Sequence, residues 1–223
     1  MNIYKGIMDI SLLTRQNRST RPQIAPFQTQ NLDIRLDLGR VHECAGRARR
    51  SFALMLAAQL SGPILWITPQ YETQRPNPDG IQPFLDPARL LFATPQRPVD
   101  SLWCMEEALR SGVVPLVVAD LNDYPALTPV RRLHLAAETG AKYSAKAPPL
   151  GVLLTPDKGG AAGVETRWLL QPDSTEEQPG WQLKRLKARR APPRAWHIAQ
   201  TPDYCFTAMT LSLIHISEPT RPY

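Results

Sequence analysis

The sequence predicts an α/β fold built on a largely parallel sheet with helices on both faces. Short apolar runs bounded by proline or glycine alternate along the chain with helix-forming segments, which is the pattern of parallel-sheet proteins. Apolar residues make up 43% of the 223 residues, which suffices for a buried core. Strands are expected at residues 41–45, 64–67, 90–93, 114–119 and 151–155.

Helix-forming segments fill the intervals between these strands. Residues 51–60 are rich in strong helix formers, and a second helix is expected to end at Gly112. Thr128 is a good N-cap and Pro129 suits the first helical position, so a third helix is expected to begin there. This third helix is expected to stop at Gly140.

Basic residues are concentrated toward the two ends of the chain. The net charge is +6, and residues 1–35 are expected to form a mobile basic arm because they show no sustained hydrophobic period. Residues 36–160 are expected to form the core. Residues 161–200 are expected to form a C-terminal antiparallel β-hairpin that carries a basic segment, residues 181–197.

The basic segment contains six cations and no acid. Such a cluster favours an anionic partner, which would be DNA or an acidic protein surface. The alternative is a solvated hairpin edge whose charges protect it from aggregation. The candidate contact residues for DNA or a protein partner are Lys184, Arg185, Lys187, Arg189, Arg190 and Arg194.

Residues 211–223 are expected not to belong to the protein. The stretch from Leu211 to Arg221 back-translates codon by codon to the transposase mosaic-end adapter of sequencing libraries, followed by its primer sequence. We interpret it as read-through from the end of an assembled sequence, so His215 receives no functional assignment.

An acid and a turn together suggest a nucleotide site. Asp120 follows the apolar strand 114–119, where P-loop ATPases place the acid that holds the Mg²⁺ of bound nucleotide. The partner loop is expected at Gly46, after strand 41–45. There the chain reads Ala-Gly-Arg-Ala-Arg-Arg-Ser-Phe and lacks the Gly-Lys-Ser/Thr that binds phosphate and Mg²⁺. The phosphate loop is therefore expected to be degenerate.

The stretch from Pro98 to Pro129 resembles the helix, second nucleotide-binding strand and following loop of RecA. Over about residues 36–197 the chain is more similar to the ImuA family, RecA-like proteins of SOS mutagenesis cassettes that include sequences labelled SulA-like. The resemblance implies a RecA-like P-loop NTPase-type core. The matching pieces are Gly39-Arg-Val-His-Glu43, Ala48-Arg-Arg-Ser-Phe-Ala-Leu54, Leu102-Trp-Cys-Met-Glu-Glu-Ala-Leu109, Thr128-Pro-Val-Arg-Arg-Leu133 and the C-terminal Trp181, Pro192, Pro193 and Trp196.

Taken residue by residue, the resemblance implies that catalysis is lost. Gly46 matches the first glycine of the phosphate loop, whereas the positions of the second glycine, the lysine and the hydroxyl fall at Arg49, Arg50, Ser51 and Phe52, with one residue deleted. Ser51 is a candidate substitute for the Mg²⁺-binding hydroxyl, and two guanidiniums near a helix N-terminus favour anions. Gln70 stands where a catalytic glutamate is expected. The implied vestigial nucleotide-binding set is Gly46, Arg49, Arg50, Ser51 and Asp120, with no catalytic residue, no cofactor and no metal.

Other residue types suggest no further chemistry. His42 and His134 lack Cys or His neighbours at metal-ligand spacing, so each is expected to be a hydrogen-bonded structural residue. No apolar run reaches the length of a membrane span, and the N-terminus lacks the apolar core of a secretory signal. A cytoplasmic location is therefore expected.

By resemblance, the protein is expected to be a non-catalytic accessory of SOS-induced error-prone translesion DNA synthesis. Its implied partners are the polymerase-like protein ImuB, an error-prone DNA polymerase and RecA, with DNA as a further candidate through the basic segment. Two alternatives are a SulA-like inhibitor of cell division that binds FtsZ and a nucleotide-binding DNA-dependent ATPase.

Overall fold

One nine-stranded mixed sheet organises the protein, for which a computed structural model describes residues 21–27, 34–173, 180–201 and 206–210. A separate two-stranded sheet pairs β1 (Gln23–Ile24) with β2 (Leu36–Asp37). The nine strands are β3 (Val41–Ala45), β4 (Ile64–Ile67), β5 (Leu90–Ala93), β6 (Leu116–Asp120), β7 (Leu150–Leu154), β8 (Thr166–Pro172), β9 (Gly180–Ala188), β10 (Arg194–Gln200) and β11 (Phe206–Thr210). The helices are α1 (Arg49–Ala58), α2 (Pro78–Ile81), α3 (Pro98–Ser111) and α4 (Leu127–Tyr143), with a 3₁₀ turn at Pro87–Arg89.

The strand order is β11-β10-β9-β8-β3-β7-β6-β4-β5. From β8 to β5 all neighbours run parallel, while β8 to β11 pair antiparallel. The prediction of an α/β fold with a largely parallel sheet is confirmed, and the five predicted strands are β3 to β7. The predicted hairpin is also present as β8 and β9, and β10 and β11 extend it.

Two apolar clusters cover the two faces of the sheet. On one face, Phe52 of α1 packs on Trp168 with ring centroids 6.1 Å apart, and Trp168 packs on Trp196 at 5.9 Å. On the other face, α3 and α4 pack through residues such as Met105 and Leu133, both buried. Helices α3 and α4 pack on each other and on the parallel strands β3, β4, β6 and β7.

Helix α4 is longer than predicted. It begins at Leu127, slightly before the predicted start, and it continues through Gly140 to Tyr143, so the predicted stop at Gly140 is wrong. The glycine serves packing instead, because a Cβ at this position would lie 1.9 Å from the carbonyl oxygen of Leu109 on α3. Gly112 does end α3 as predicted, with a left-handed φ of 68°. None of the described helices is long and apolar enough to cross a membrane.

Residues 21–27, which belong to the predicted arm, pack on the core. Ile24 and Phe27 are buried, and Arg21 forms a 2.9 Å ion pair with Glu138 on α4. The core therefore begins before residue 36. The rest of the predicted arm, residues 1–20 and 28–33, lies outside the described residues, and so does the excluded stretch 211–223.

We predict that Gly140→Ala destabilises the protein by about 2 kcal/mol or more, because the new methyl group overlaps the backbone of α3. Gly80→Ala is the matched control, since nothing lies within 4 Å of a Cβ at Gly80. Chemical denaturation of both variants measures the difference. Equal stabilities for the two variants would contradict the close helix contact.

Candidate functional site

The candidate site lies at the carboxyl edge of the parallel strands, where ligands of α/β proteins commonly bind. Strand β3 ends at Ala45 and turns through Gly46 into α1. Asp120 is the last residue of β6, and β7 lies between β3 and β6. The structure therefore brings together the predicted loop and the predicted acid.

Two arginines of α1 occupy the space in front of the acid. Arg50 donates from Nε to Asp120 Oδ2 at 2.5 Å, and Arg49 Nε lies 3.5 Å from Oδ1. The Asp120 side chain is only 2% exposed, while that of Arg50 is 27% exposed. The first turn of α1 contains no acid. Asp120 therefore offsets part of the charge of two cations at a helix end that disfavours them.

The backbone N–H groups of the loop are engaged inside the protein. Arg47 donates to Gln171 Oε1 at 3.3 Å, Ala48 to the Leu170 carbonyl at 3.1 Å, and Arg49 to the Gly46 carbonyl at 3.2 Å. A phosphate-binding loop needs such N–H groups to point at the ligand. Here three successive N–H groups bond to β8 or within the turn, so they do not form a phosphate cradle.

Gly46 is required by strand packing. Its φ is 95°, and a Cβ would lie 2.4 Å from the carbonyl oxygen of Leu170 on β8. The glycine thus permits close contact between the turn and β8. The motif glycine therefore has a structural reason that involves no nucleotide.

Among the described side-chain contacts of Asp120 there is none from Ser51 or Gln70, the remaining residues of the predicted site. Ser51 is half-buried in the first turn of α1. Gln70 is exposed, and its backbone N–H donates to the Pro95 carbonyl at 2.9 Å. The nearby Glu72 accepts the backbone N–H of Gln74 within its own loop. Neither Gln70 nor Glu72 has a described contact with the loop at Gly46.

The predicted contact residues of the basic segment fall into two groups. Arg185 is 3% exposed, lies 5.8 and 5.1 Å from the Trp168 and Trp196 ring centroids, and donates to the Pro192 carbonyl. Its guanidinium is thus part of the core and fixes the β9–β10 turn. The prediction that Arg185 contacts DNA or a protein partner at the surface is therefore wrong. The other members are half-buried Lys184 and the exposed Lys187, Arg189, Arg190 and Arg194.

Sequence reasoning missed a buried acid, Glu43. Its Oε1 accepts from Thr155 Oγ1 at 2.7 Å, Gly160 N at 2.7 Å and Ala161 N at 2.9 Å, and Oε2 accepts from Arg167 Nε at 2.5 Å. The signal was an acid inside an apolar strand, which requires partners when it is buried. Because its hydrogen bonds are all internal, Glu43 is a structural group.

The two buried histidines are satisfied and neutral. His42 contacts Thr166 Oγ1 at 2.7 Å and the Asp37 carbonyl at 2.9 Å, and burial lowers its pKa to about 4. His134 accepts the Val41 N–H at 3.3 Å, and burial lowers its pKa to about 4 as well. The prediction of hydrogen-bonded structural residues is confirmed for both. Among the described residues, no three His, Cys, Asp or Glu side chains are grouped as metal ligands.

Comparison of the chain with models of known protein families gives no match, and comparison with characterised proteins gives none either. The similarity to ImuA and RecA therefore remains an interpretation of the motifs given above.

We predict that Asp120→Asn destabilises the protein by about 1–3 kcal/mol, because it leaves two arginines at the start of α1 without an anionic partner. The partial exposure of Arg50 places the effect toward the lower value. Asp123→Asn is the control, since Asp123 is exposed and its replacement should change stability by less than about 0.5 kcal/mol. A stabilised Asp120→Asn protein would indicate instead an acid held in an unfavourable place for ligand binding.

We predict that stability falls as pH drops from about 6.5 to 4, because the unfolded chain takes up protons on both histidines that the folded protein excludes. Each histidine accounts for up to about 3 kcal/mol, present above pH 6.5 and lost toward pH 4. His134→Gln keeps a donor for the Gly163 carbonyl and removes one titration. Urea unfolding across this pH range should give a shallower slope for the variant; identical slopes would refute the assignment.

Proposed function

We propose that the protein is a non-catalytic, RecA-like accessory protein of SOS-induced error-prone translesion DNA synthesis. It acts by binding other proteins, namely ImuB, the error-prone polymerase and RecA. The motif resemblance over about residues 36–197 supplies this biological setting. The contacts at the carboxyl edge of the sheet support the absence of catalysis.

The Arg50–Asp120 ion pair carries the non-catalytic part of the proposal. In a P-loop ATPase the acid at this strand end faces Mg²⁺, and a lysine of the loop reaches the β- and γ-phosphates. Here Arg50, in the first turn of α1, forms an ion pair with Asp120 directly. The charges that would hold Mg²⁺ and phosphate thus neutralise each other, and hydrolysis needs all the parts at once.

The placement of the elements is compatible with a RecA-like core. A turn that enters a helix after β3 and an acid that ends β6 meet at one sheet edge, with β7 between the two strands. The exposed Gln70, three residues after β4, cannot act as a general base. A protein that keeps this architecture without the chemistry is suited to serve as a platform for partners.

Purified protein with ATP, Mg²⁺ and single-stranded DNA should therefore show phosphate release at background, and Asp120→Ala should not change it. Turnover that disappears in Asp120→Ala would refute the non-catalytic proposal. The same preparation, immobilised, should capture purified ImuB or RecA. Capture of FtsZ without either partner would favour the SulA-like alternative instead.

A further inference from the structure

The amino edge of the sheet, opposite the candidate site, concentrates positive charge from two elements, α4 and β9, and from the residues that follow each of them. Helix α4 ends here with exposed Lys142 and Tyr143, followed by exposed Lys146. On the other side, β9 ends here with exposed Lys187, followed by Arg189 and Arg190. We call the set Lys142, Tyr143, Lys146, Lys187, Arg189 and Arg190 the basic edge.

A chain of ion pairs joins the two halves of the basic edge. Arg189 lies 3.7 Å from Glu165, which lies 3.7 Å from Arg40, and Arg40 lies 2.7 Å from Glu138 on α4. Arg21 also contacts Glu138. Glu138 and Glu165 are thus each shared by two arginines, so these two acids do not offset the lysines of the basic edge.

The dimensions suit a flexible polyanion. The basic edge spans β9, β8, β3 and β7, which at about 4.8 Å per strand is roughly 14 Å. Tyr143 lies five residues beyond Glu138 on the same helix, about 7.5 Å along its axis. Its side chain is 73% exposed and flanked by lysines. An exposed aromatic ring among cations is the arrangement that stacks a base while its phosphates are bound.

The β9–β10 turn that carries part of this charge is held in place. The Arg185 guanidinium, buried against Trp168 and Trp196, donates from Nε to the Pro192 carbonyl at 2.9 Å. Pro192 and Pro193 further restrict the turn. Cations on a turn that is already fixed lose less conformational entropy when they bind a ligand.

We propose that the basic edge binds single-stranded nucleic acid, with Lys142, Lys146, Lys187 and Arg190 on phosphates and Tyr143 stacked on a base. The aromatic ring favours nucleic acid over an acidic protein segment, which would use the charges alone. The edge lies opposite Asp120, so nucleic-acid binding here does not depend on whether the site at Gly46 binds nucleotide.

The test is fluorescence anisotropy with a labelled oligothymidylate in a salt series, using the full chain. Binding should weaken linearly in log salt, with a slope of about −0.7 per phosphate contacted. Lys142→Ala/Lys146→Ala and Lys187→Ala/Arg190→Ala should each weaken binding roughly tenfold at low salt and make the slope shallower by about 1.4, since each removes two phosphate contacts. Tyr143→Ala should cost about fivefold or more, while Tyr143→Phe should bind as the parent does.

Arg131→Ala/Lys158→Ala is the matched control, because it removes the same charge from exposed residues away from this edge. It should bind nearly as the parent does, and thermal unfolding should show all variants folded. Equal loss in the control, or no binding at low salt, would overturn the proposal. Polyglutamate binding as tightly as the oligonucleotide, with Tyr143→Ala unchanged, would also overturn it and identify a surface for acidic proteins.

Discussion

The carboxylate of Glu43 is the interaction on which the two halves of the sheet depend. It sits on β3, fully buried, and accepts hydrogen bonds from the loop after β7 and from Arg167 on β8. Removing a partner would leave a buried charge unpaired, which typically costs about 3–5 kcal/mol. Since β8 is both the last parallel strand and the first antiparallel one, this group reinforces the β3–β8 pairing through which the core continues into its extension.

Most strand positions could be predicted from the sequence because parallel strands are short apolar runs between breakers, and β4 to β7 are largely of that form, whereas β3 carries His42 and Glu43. The end of α4 could not, because Gly140 reads as a helix stop until the backbone of α3 is known to lie against it. Local propensity indicates where a helix is free to end. Packing of α3 on α4 decided that this one continues.

At the candidate site, the sequence revealed which groups were missing but not what replaced them. Residue types alone identified Arg49 and Arg50 as wrong for a phosphate loop, yet their pairing with Asp120 depends on side-chain directions across three strands. Arg185 shows the same limit. The pairing of β8 with β9 is irregular at Arg167 and Trp168, and Trp168 is the partner of Arg185. At such an irregularity the alternation of inward and outward side chains along a strand does not predict which face a residue is on.

The turn at Gly46 has a consequence for any attempt to rebuild a nucleotide site. Its N–H groups donate to the Gln171 side chain and to the Leu170 carbonyl, so β8 already accepts hydrogen bonds that a phosphate would need. Replacing Arg50 with lysine and Arg49 with glycine would supply two residue types of the motif. The N–H groups of Arg47 and Ala48 would still be hydrogen-bonded to β8. Because β8 also closes against Glu43, it cannot withdraw without opening the sheet. In this protein the conformation of the turn at Gly46 is therefore fixed by the same strand that holds the sheet together.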